Sequence, residues 1–74
     1  MTQEYDTNKM SDEEIRQAFI RCFTSREGQI ALSFLKKITL NRFLGPHSTA
    51  DELRYLEGQR QLVAQIINLS NPKK

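Results

Sequence analysis

The chain has very few of the residues that build covalent or metal-based cores. Its 74 residues include one cysteine, Cys22, and one histidine, His47. A single cysteine excludes an intrachain disulfide, and it fits a reducing compartment. One cysteine with one histidine is also too few ligands for a structural zinc site. Because so short a chain buries only about 60% of its unfolded surface, its stability has to come from regular helix packing or from a partner.

Long apolar runs are missing as well. No segment approaches the roughly 20 apolar residues of a membrane-spanning helix. The first ten residues, MTQEYDTNKM, have neither a basic start nor an apolar core, so they do not resemble a signal peptide. We therefore expect a soluble, cytoplasmic protein that makes no contact with membranes.

The net charge of +2 is unevenly distributed along the chain. Residues 1–14 hold one lysine against five acids, a net charge of −4, and residues 15–74 hold ten basic against four acidic residues, a net charge of +6. An acidic lead on a basic body is compatible with binding to nucleic acid or to an acidic protein surface. The alternative is that three of the acids begin a helix, where the helix dipole favours negative charge.

Capping signatures predict three helices. A Ser or Thr followed three residues later by Glu marks a helix start, and such pairs are Ser11 with Glu14, Thr24 with Glu27, and Thr49 with Glu52. Gly45-Pro46 breaks the chain before the third helix, Ser48 or Thr49 is the expected N-cap of that helix, and Asn71-Pro72 closes it. The fold class is therefore all-α: a small three-helix domain over residues 11–70, with a flexible acidic N-terminal arm over residues 1–10 and a basic tail over residues 71–74.

Apolar residues at helical spacing assign an inner face to the first two helices. That face comprises Ile15, Ala18, Phe19, Cys22 and Phe23 in the first helix, and Ile30, Ala31, Phe34, Leu35 and Ile38 in the second. On this assignment Cys22 is a small buried hydrophobic residue. Phe43 and Leu44, in the loop before the third helix, are expected to fold back onto the core.

The third helix carries more apolar surface than a single core-facing side requires. An inner stripe comprises Leu53, Leu56, Val63, Ala64 and Ile67, and an outer stripe comprises Tyr55, Leu62, Ile66 and Leu69, with Gln59 between the two. Together they cover roughly 220°, whereas one buried stripe needs little more than ~100°. We predict that the outer stripe and Gln59 bind a protein partner or a second copy, because grooves accept helices through such spaced anchors.

Gly58 and Arg60 form a second feature of the third helix. A glycine in mid-helix costs roughly 0.8–1 kcal/mol relative to alanine, so we predict that Gly58 admits the backbone of a neighbouring helix. Arg60 lies on the inner stripe, and we predict that it bonds to a carboxylate or to carbonyl groups, with Glu27 as one candidate. The alternative is a tolerated surface glycine and an arginine whose head extends into solvent.

The sequence contains no arrangement typical of catalysis. A thiolate at Cys22 would need a base, and only His47, in a distant loop, offers one. The adjacent carboxylate pairs lie in the first turns of helices, where capping explains them, and the three glycines are too scattered to cradle a phosphate. We therefore expect no enzyme activity, no catalytic or metal-binding residues and no cofactor.

The first two helices superficially resemble a helix-turn-helix. Residues available for phosphate contacts are Arg26, Lys36, Lys37 and Arg42. At the start of the presumed recognition helix, however, only Arg26 and Gln29 resemble base-reading residues, and no small turn residue precedes Ser25. Nucleic-acid binding is therefore retained as a third hypothesis with weak support.

A series of short motifs runs from Phe19 to Asn68. In order they are Phe19 and Phe23, Thr24, Gly28-Gln29 with Leu32, Gly45-Pro46-His47, Glu57-Gly58-Gln59-Arg60, and Ile66-Ile67 with Leu69. The series resembles a family of small tailed-phage and prophage proteins, typified by a Bordetella phage protein and usually encoded among packaging and head genes. The resemblance implies a phage origin and a non-enzymatic role, and the gene neighbourhood implies assembly or packaging.

The leading hypothesis is a phage-encoded helical protein that acts through protein–protein contacts in virion assembly or genome packaging. The alternative is a phage effector that binds and modulates a host protein of the transcription or defence machinery. Both hypotheses place the protein in the host cytoplasm, and the first is compatible with association with the virion.

Overall fold

Three α-helices make up the domain. The structure, a computed structural model, describes residues 4–72. Helices α1 (Asp12–Thr24), α2 (Arg26–Ile38) and α3 (Ala50–Leu69) follow a short 3₁₀ helix at Thr7–Lys9. Residues 4–72 contain no strand, so the all-α, three-helix prediction is confirmed. Residues 1–3 of the arm, and Lys73 and Lys74 of the predicted basic tail, lie outside the described residues.

The N-terminal segment contains a short 3₁₀ helix that the sequence analysis did not predict. The Asp6 carboxylate accepts the backbone N–H of Asn8 at 3.1 Å and caps the 3₁₀ helix. Polar sequence without periodicity gives no signal for so short an element, because one cap and one turn suffice to form it. The flexibility of the arm stays a prediction.

Helix α1 begins with the predicted capping box. The Ser11 hydroxyl accepts the backbone N–H of Glu14 at 3.1 Å, and the Glu14 carboxylate accepts the backbone N–H of Ser11 at 3.0 Å. Three acids, Asp12, Glu13 and Glu14, occupy the first turn. Part of the acidic lead is thus explained by the helix dipole.

One residue joins α1 to α2. Ser25 is at once the C-cap of α1 and the N-cap of α2. Its hydroxyl donates to the Cys22 carbonyl at 2.9 Å and accepts the backbone N–H of Gly28 at 3.0 Å. The predicted Thr24 cap is wrong by one residue, since the Thr24 hydroxyl instead donates to the Ile20 carbonyl within α1.

Gly28 allows this junction to be tight. A Cβ at this buried position would lie 2.0 Å from the Cys22 carbonyl oxygen and 2.7 Å from the Phe23 Cα, both backbone atoms. Glycine is the residue that permits such an approach. The first turn of α2 therefore rests directly on the end of α1.

Helix α3 begins with a second complete capping box. The Thr49 hydroxyl accepts the backbone N–H of Glu52 at 3.1 Å, and the Glu52 carboxylate accepts the backbone N–H of Thr49 at 2.9 Å. The hydrogen bond from the Thr49 backbone is the main cause that lowers the pKa of Glu52 below its usual value. The predicted start of α3 at Thr49 is confirmed.

This lowered pKa gives a pH-dependent contribution to stability. The carboxylate is favoured in the folded state, so its contribution is present above the ordinary pKa and is lost as the pH falls through the folded value. We expect the melting midpoint of the wild type to fall more steeply than that of Glu52→Gln between about pH 5 and pH 3, because Gln caps without titrating. Parallel slopes in melts followed by circular dichroism would contradict this assignment.

The core is thin, and α2 turns a different side to it than the sequence predicts. Among residues 4–72 the buried hydrophobic side chains are Leu32, Leu56 and Val63. In α2 the buried side runs from Gly28 through Leu32, whereas Ile30, Phe34 and Ile38 of the predicted inner face are exposed. Close approach at Gly28 fixes the rotation of α2 and leaves most of its apolar arc outside.

Four further burial predictions are wrong, and two of them concern Ala18 of α1 and Ala31 of α2, which are exposed. Cys22 is exposed, because the half-buried side of α1 is centred on Phe19 and Phe23 and is rotated away from Cys22.

Phe43 is 88% exposed in the loop between α2 and α3, and only its neighbour Leu44 is half-buried. Both residues are apolar, so their side chains alone could not predict that Leu44 rather than Phe43 turns toward the core.

The chain is open for its size. Its radius of gyration is 15.0 Å, against about 11 Å for a compact domain of this length. Its accessible surface is 6381 Å², against about 4,700 Å² for a compact monomer of this mass. The exposed apolar side chains of α2 and α3 contribute to this excess.

Candidate binding surfaces on the second and third helices

The outer stripe of α3 consists of an exposed half and a half-buried half. Tyr55 and Leu62 are 72% and 59% exposed. Gln59, between them, is half-buried, as are Ile66 and Leu69 toward the end of the helix. Of the residues predicted to bind a partner, Tyr55 and Leu62 therefore form the more accessible part, and the other three are partly covered by the chain itself.

The predicted inner stripe is also divided. Leu56 and Val63 are buried as predicted, but Leu53 and Ala64 are exposed. The buried side of α3 is centred on Leu56 and Val63, at the edge of the inner stripe nearest the outer one, so each edge of the wide apolar arc meets solvent. Burial by only two neighbouring helices cannot cover an arc that exceeds the usual width of little more than ~100°.

Gly58 faces open space. No heavy atom of the described residues lies within 4 Å of the position that a Cβ would occupy there. Within the chain, the prediction that Gly58 admits a neighbouring helix is therefore wrong, because α1 and α2 pack on another side of α3. Close approach by a separate molecule at Gly58 stays a prediction.

Arg60 bonds to carbonyl groups, one of the two partner types predicted for it. Its Nε donates to the Thr39 carbonyl at 3.0 Å, and a terminal nitrogen donates to the Arg42 carbonyl. Its other terminal nitrogen lies 3.8 Å from the Glu57 carboxylate. Glu27 is not its partner, since that carboxylate pairs with Arg26. Arg60 thus ties the loop after α2 to the middle of α3.

A second apolar surface lies on α2. Ile30, Phe34 and Ile38, which we call the α2 ridge, are 53%, 58% and 40% exposed and are spaced four residues apart. Sequence reasoning found these residues but assigned them to the core. Gly28 is the signal that could have corrected the assignment, because a small residue in a first turn marks the side of a helix that packs closely.

The α1–α2 pair departs from helix-turn-helix geometry. A DNA-binding pair has a turn of three to four residues, whereas only Ser25 separates α1 from α2. Gln29, one of the two base-reading candidates, donates its side-chain amide to the Phe23 carbonyl at the end of α1. This geometry gives the third hypothesis no further support.

A small open cavity lies between the N-terminal segment and α1. It has a volume of about 410 Å³ and is lined by residues that include Tyr5, Met10, Ile15 and Phe19.

In residues 4–72 no group of three His, Cys, Asp or Glu side chains could hold a metal ion. Over the same residues, no helix has the length and apolar content needed to cross a bilayer.

Comparison with known proteins identifies the family. Residues 19–74 match the sequence model of the Bbp19-like phage protein family. No curated protein and no solved structure shows significant similarity to the chain. The matched region contains the second half of α1 and all of α2 and α3, with Gly28 and Arg60, and it leaves residues 1–18 outside. The phage resemblance drawn from short motifs is therefore confirmed, and the chain belongs to the Bbp19-like phage protein family.

Proposed function

We propose that this phage protein is a non-enzymatic binding protein that acts through protein–protein contacts in virion assembly or genome packaging. One observation carries the proposal. Eight large hydrophobic side chains of the described residues are exposed, while three hydrophobic residues are buried. A large exposed apolar surface on a folded protein typically marks a site that binds another molecule.

The α3 stripe is the proposed contact with another phage protein. Tyr55 and Leu62 lie two turns apart on one side of the helix and supply an aromatic and an aliphatic anchor. Arg60 points instead toward the end of α2, roughly 150° away from these anchors around the helix. The stripe can therefore enter a partner's groove without disturbing the contact between α2 and α3.

A second candidate function is that of an effector that binds a host protein. The exposed acidic N-terminal segment, with Glu4 and Asp6, favours it. This segment lies outside the family match, so it is an addition to the part of the chain that the family model covers. Negative charge on an exposed arm suits a basic surface of the kind that binds nucleic acid.

A matched pair of substitutions tests the α3 stripe. Leu62→Glu places a charge in the proposed contact, and Gln61→Glu places the same charge on the adjacent exposed position around the helix. We expect Leu62→Glu to weaken partner binding by at least about tenfold, since losing one apolar anchor costs more than 1.4 kcal/mol. Gln61→Glu should bind like the wild type. Ile66 is left intact because it is half-buried.

The measurement is affinity capture from phage-infected cells followed by mass spectrometry, together with analysis of purified virions. Phage head or packaging proteins should be recovered with the wild type and with Gln61→Glu but not with Leu62→Glu. Recovery of a host protein, with no copies of the chain in virions, would favour the effector function. Equal recovery by all three proteins would remove the α3 stripe as the contact.

A further inference from the structure

We infer that the protein bound by the α3 stripe inserts one large apolar side chain, carried on a helix, into an open hole at Gly58. The hole is formed by Tyr55, Gly58, Gln59 and Leu62, and we call it the α3 hole. This inference rests on the proposed function, since it names the kind of segment that binds the α3 stripe and the place where that segment binds.

The four residues of the α3 hole have the spacing of a helix-packing site. They stand at positions i, i+3, i+4 and i+7 of α3 and lie within roughly 100° of one another around the helix. Four residues with this spacing surround each side chain that a facing helix inserts in knobs-into-holes packing. Tyr55 and Leu62, both exposed, form the two ends of the hole, and the half-buried Gln59 forms its inner side.

Gly58 leaves the remaining side of the hole open. A Cβ at Gly58 would meet no described atom within 4 Å outside the adjacent backbone of α3, and the φ angle of Gly58 is not positive. Neither the conformation of α3 nor its packing on α1 and α2 therefore requires a glycine here. Glycine in mid-helix is less favourable than alanine, and a side chain of another molecule that fills this space would offset that cost.

The surface next to the hole indicates a protein as the occupant. Residues 61–71 include no Asp, Glu, Lys, Arg or His, although 27% of the chain is charged. The Arg60 side chain is directed to the Thr39 carbonyl on the opposite side of α3. A nucleic acid would need basic side chains for its phosphates, whereas the centres of protein interfaces are depleted of charge. The inserted side chain is therefore apolar and belongs to a protein, as Leu, Met or Phe would.

A size series at Gly58 tests the α3 hole. The probe is the phage protein recovered with the wild type in the capture experiment, expressed, purified and titrated by calorimetry. Gly58→Leu should weaken binding by about 100-fold or more, because the new side chain fills the hole and holds the two helices apart. Gly58→Ala should weaken binding by about tenfold, since a methyl group fills part of the same space. Gln61→Leu adds a leucine at an adjacent exposed position and should bind like the wild type.

Loss of folding cannot account for this expected result. Both variants replace a glycine at an open helical position, so Gly58→Ala and Gly58→Leu should melt at or above the wild-type midpoint. A contact that depends only on apolar area would give the opposite sign, because an added leucine would then tighten binding. Weaker binding by a more stable variant therefore distinguishes the α3 hole from a flat apolar contact.

Photo-cross-linking identifies the inserted side chain. Replacing Tyr55 with the photoreactive amino acid p-benzoylphenylalanine keeps an aromatic ring at one end of the hole. We expect its cross-links to fall on one helix of the bound phage protein, beside a large apolar residue. Truncating that residue to alanine should weaken binding to the wild type but have little further effect on binding to Gly58→Leu, because the two changes remove the same contact.

Contrary results separate this inference from the proposed function. If Leu62→Glu weakens binding and Gly58→Leu does not, the α3 stripe is the contact but the α3 hole receives no side chain. Cross-links to a strand or a loop of the bound protein would overturn the helical occupant. If neither variant weakens binding, or if no phage protein is captured, the proposed contact fails and the inference fails with it.

Discussion

Gly28→Ala is expected to abolish cooperative melting or to lower the melting midpoint by more than about 10 °C. The added methyl group would lie 2.0 Å from the Cys22 carbonyl oxygen and 2.7 Å from the Phe23 Cα. Backbone atoms cannot turn aside as a side chain can, so α1 and α2 have to separate. Overpacking typically costs about 1–3 kcal/mol and occasionally more, a large part of the roughly 4–11 kcal/mol available to 74 residues.

Gly58→Ala is the matched control for this prediction. Gly58 is also helical, but its added methyl group meets no atom within 4 Å. Alanine should therefore stabilise α3 by about 0.8–1 kcal/mol and raise the midpoint by roughly 4 °C. The two substitutions add the same atoms and should shift thermal melts in opposite directions. Similar midpoints for the two variants would show that α1 and α2 do not approach as described.

Arg60→Met is expected to lower the stability of the domain by about 1.5–3 kcal/mol. Met keeps the aliphatic packing of the side chain but removes the donors to the Thr39 and Arg42 carbonyls. Thr39 is buried, so its carbonyl cannot readily find water as a replacement. The loss should appear as a midpoint about 10 °C lower and as faster amide exchange in the loop between α2 and α3.

Arg54→Met provides the corresponding control. Arg54 is on the same helix, and its pair with Asp51 at 3.5 Å is almost fully exposed on both sides. Such pairs contribute little, so the free energy of unfolding should remain within about 0.5 kcal/mol of the wild-type value. Arg60→Lys should recover only part of the loss, since one ammonium cannot reproduce two directed donors on a planar group. A silent Arg60→Met would indicate an arginine that merely extends into solvent.

Local signals in the sequence predicted the elements of the fold well. The pairs Ser11 with Glu14 and Thr49 with Glu52 are complete capping boxes in the structure. A capping box depends only on two residues three positions apart, so it can be recognised from the sequence alone. The partner type of Arg60 was also open to prediction, because an arginine on an apolar stripe needs acceptors.

The sides that the helices turn to the core could not be predicted in the same way. The rotation of α2 depends on the contact between Gly28 and the Cys22 carbonyl, and the apolar arc of α2 gives no information on that contact. For α3 the arc was too wide to indicate its centre. Periodicity correctly placed Tyr55 and Leu62 on an outward side of α3, but it assigned Ile30, Phe34 and Ile38 to the core, where they do not lie.

The shared cap at Ser25 limits how this molecule can change shape. Because Ser25 alone ends α1 and begins α2, no loop separates the two helices. We therefore expect α1 and α2 to move as one rigid body. The longer connection between Ile38 and Ala50 is then the hinge between α1–α2 and α3. The hydrogen bond from Arg60 to the Thr39 carbonyl restrains this hinge. We expect any rearrangement on binding to swing α3 about this loop while the angle between α1 and α2 stays fixed.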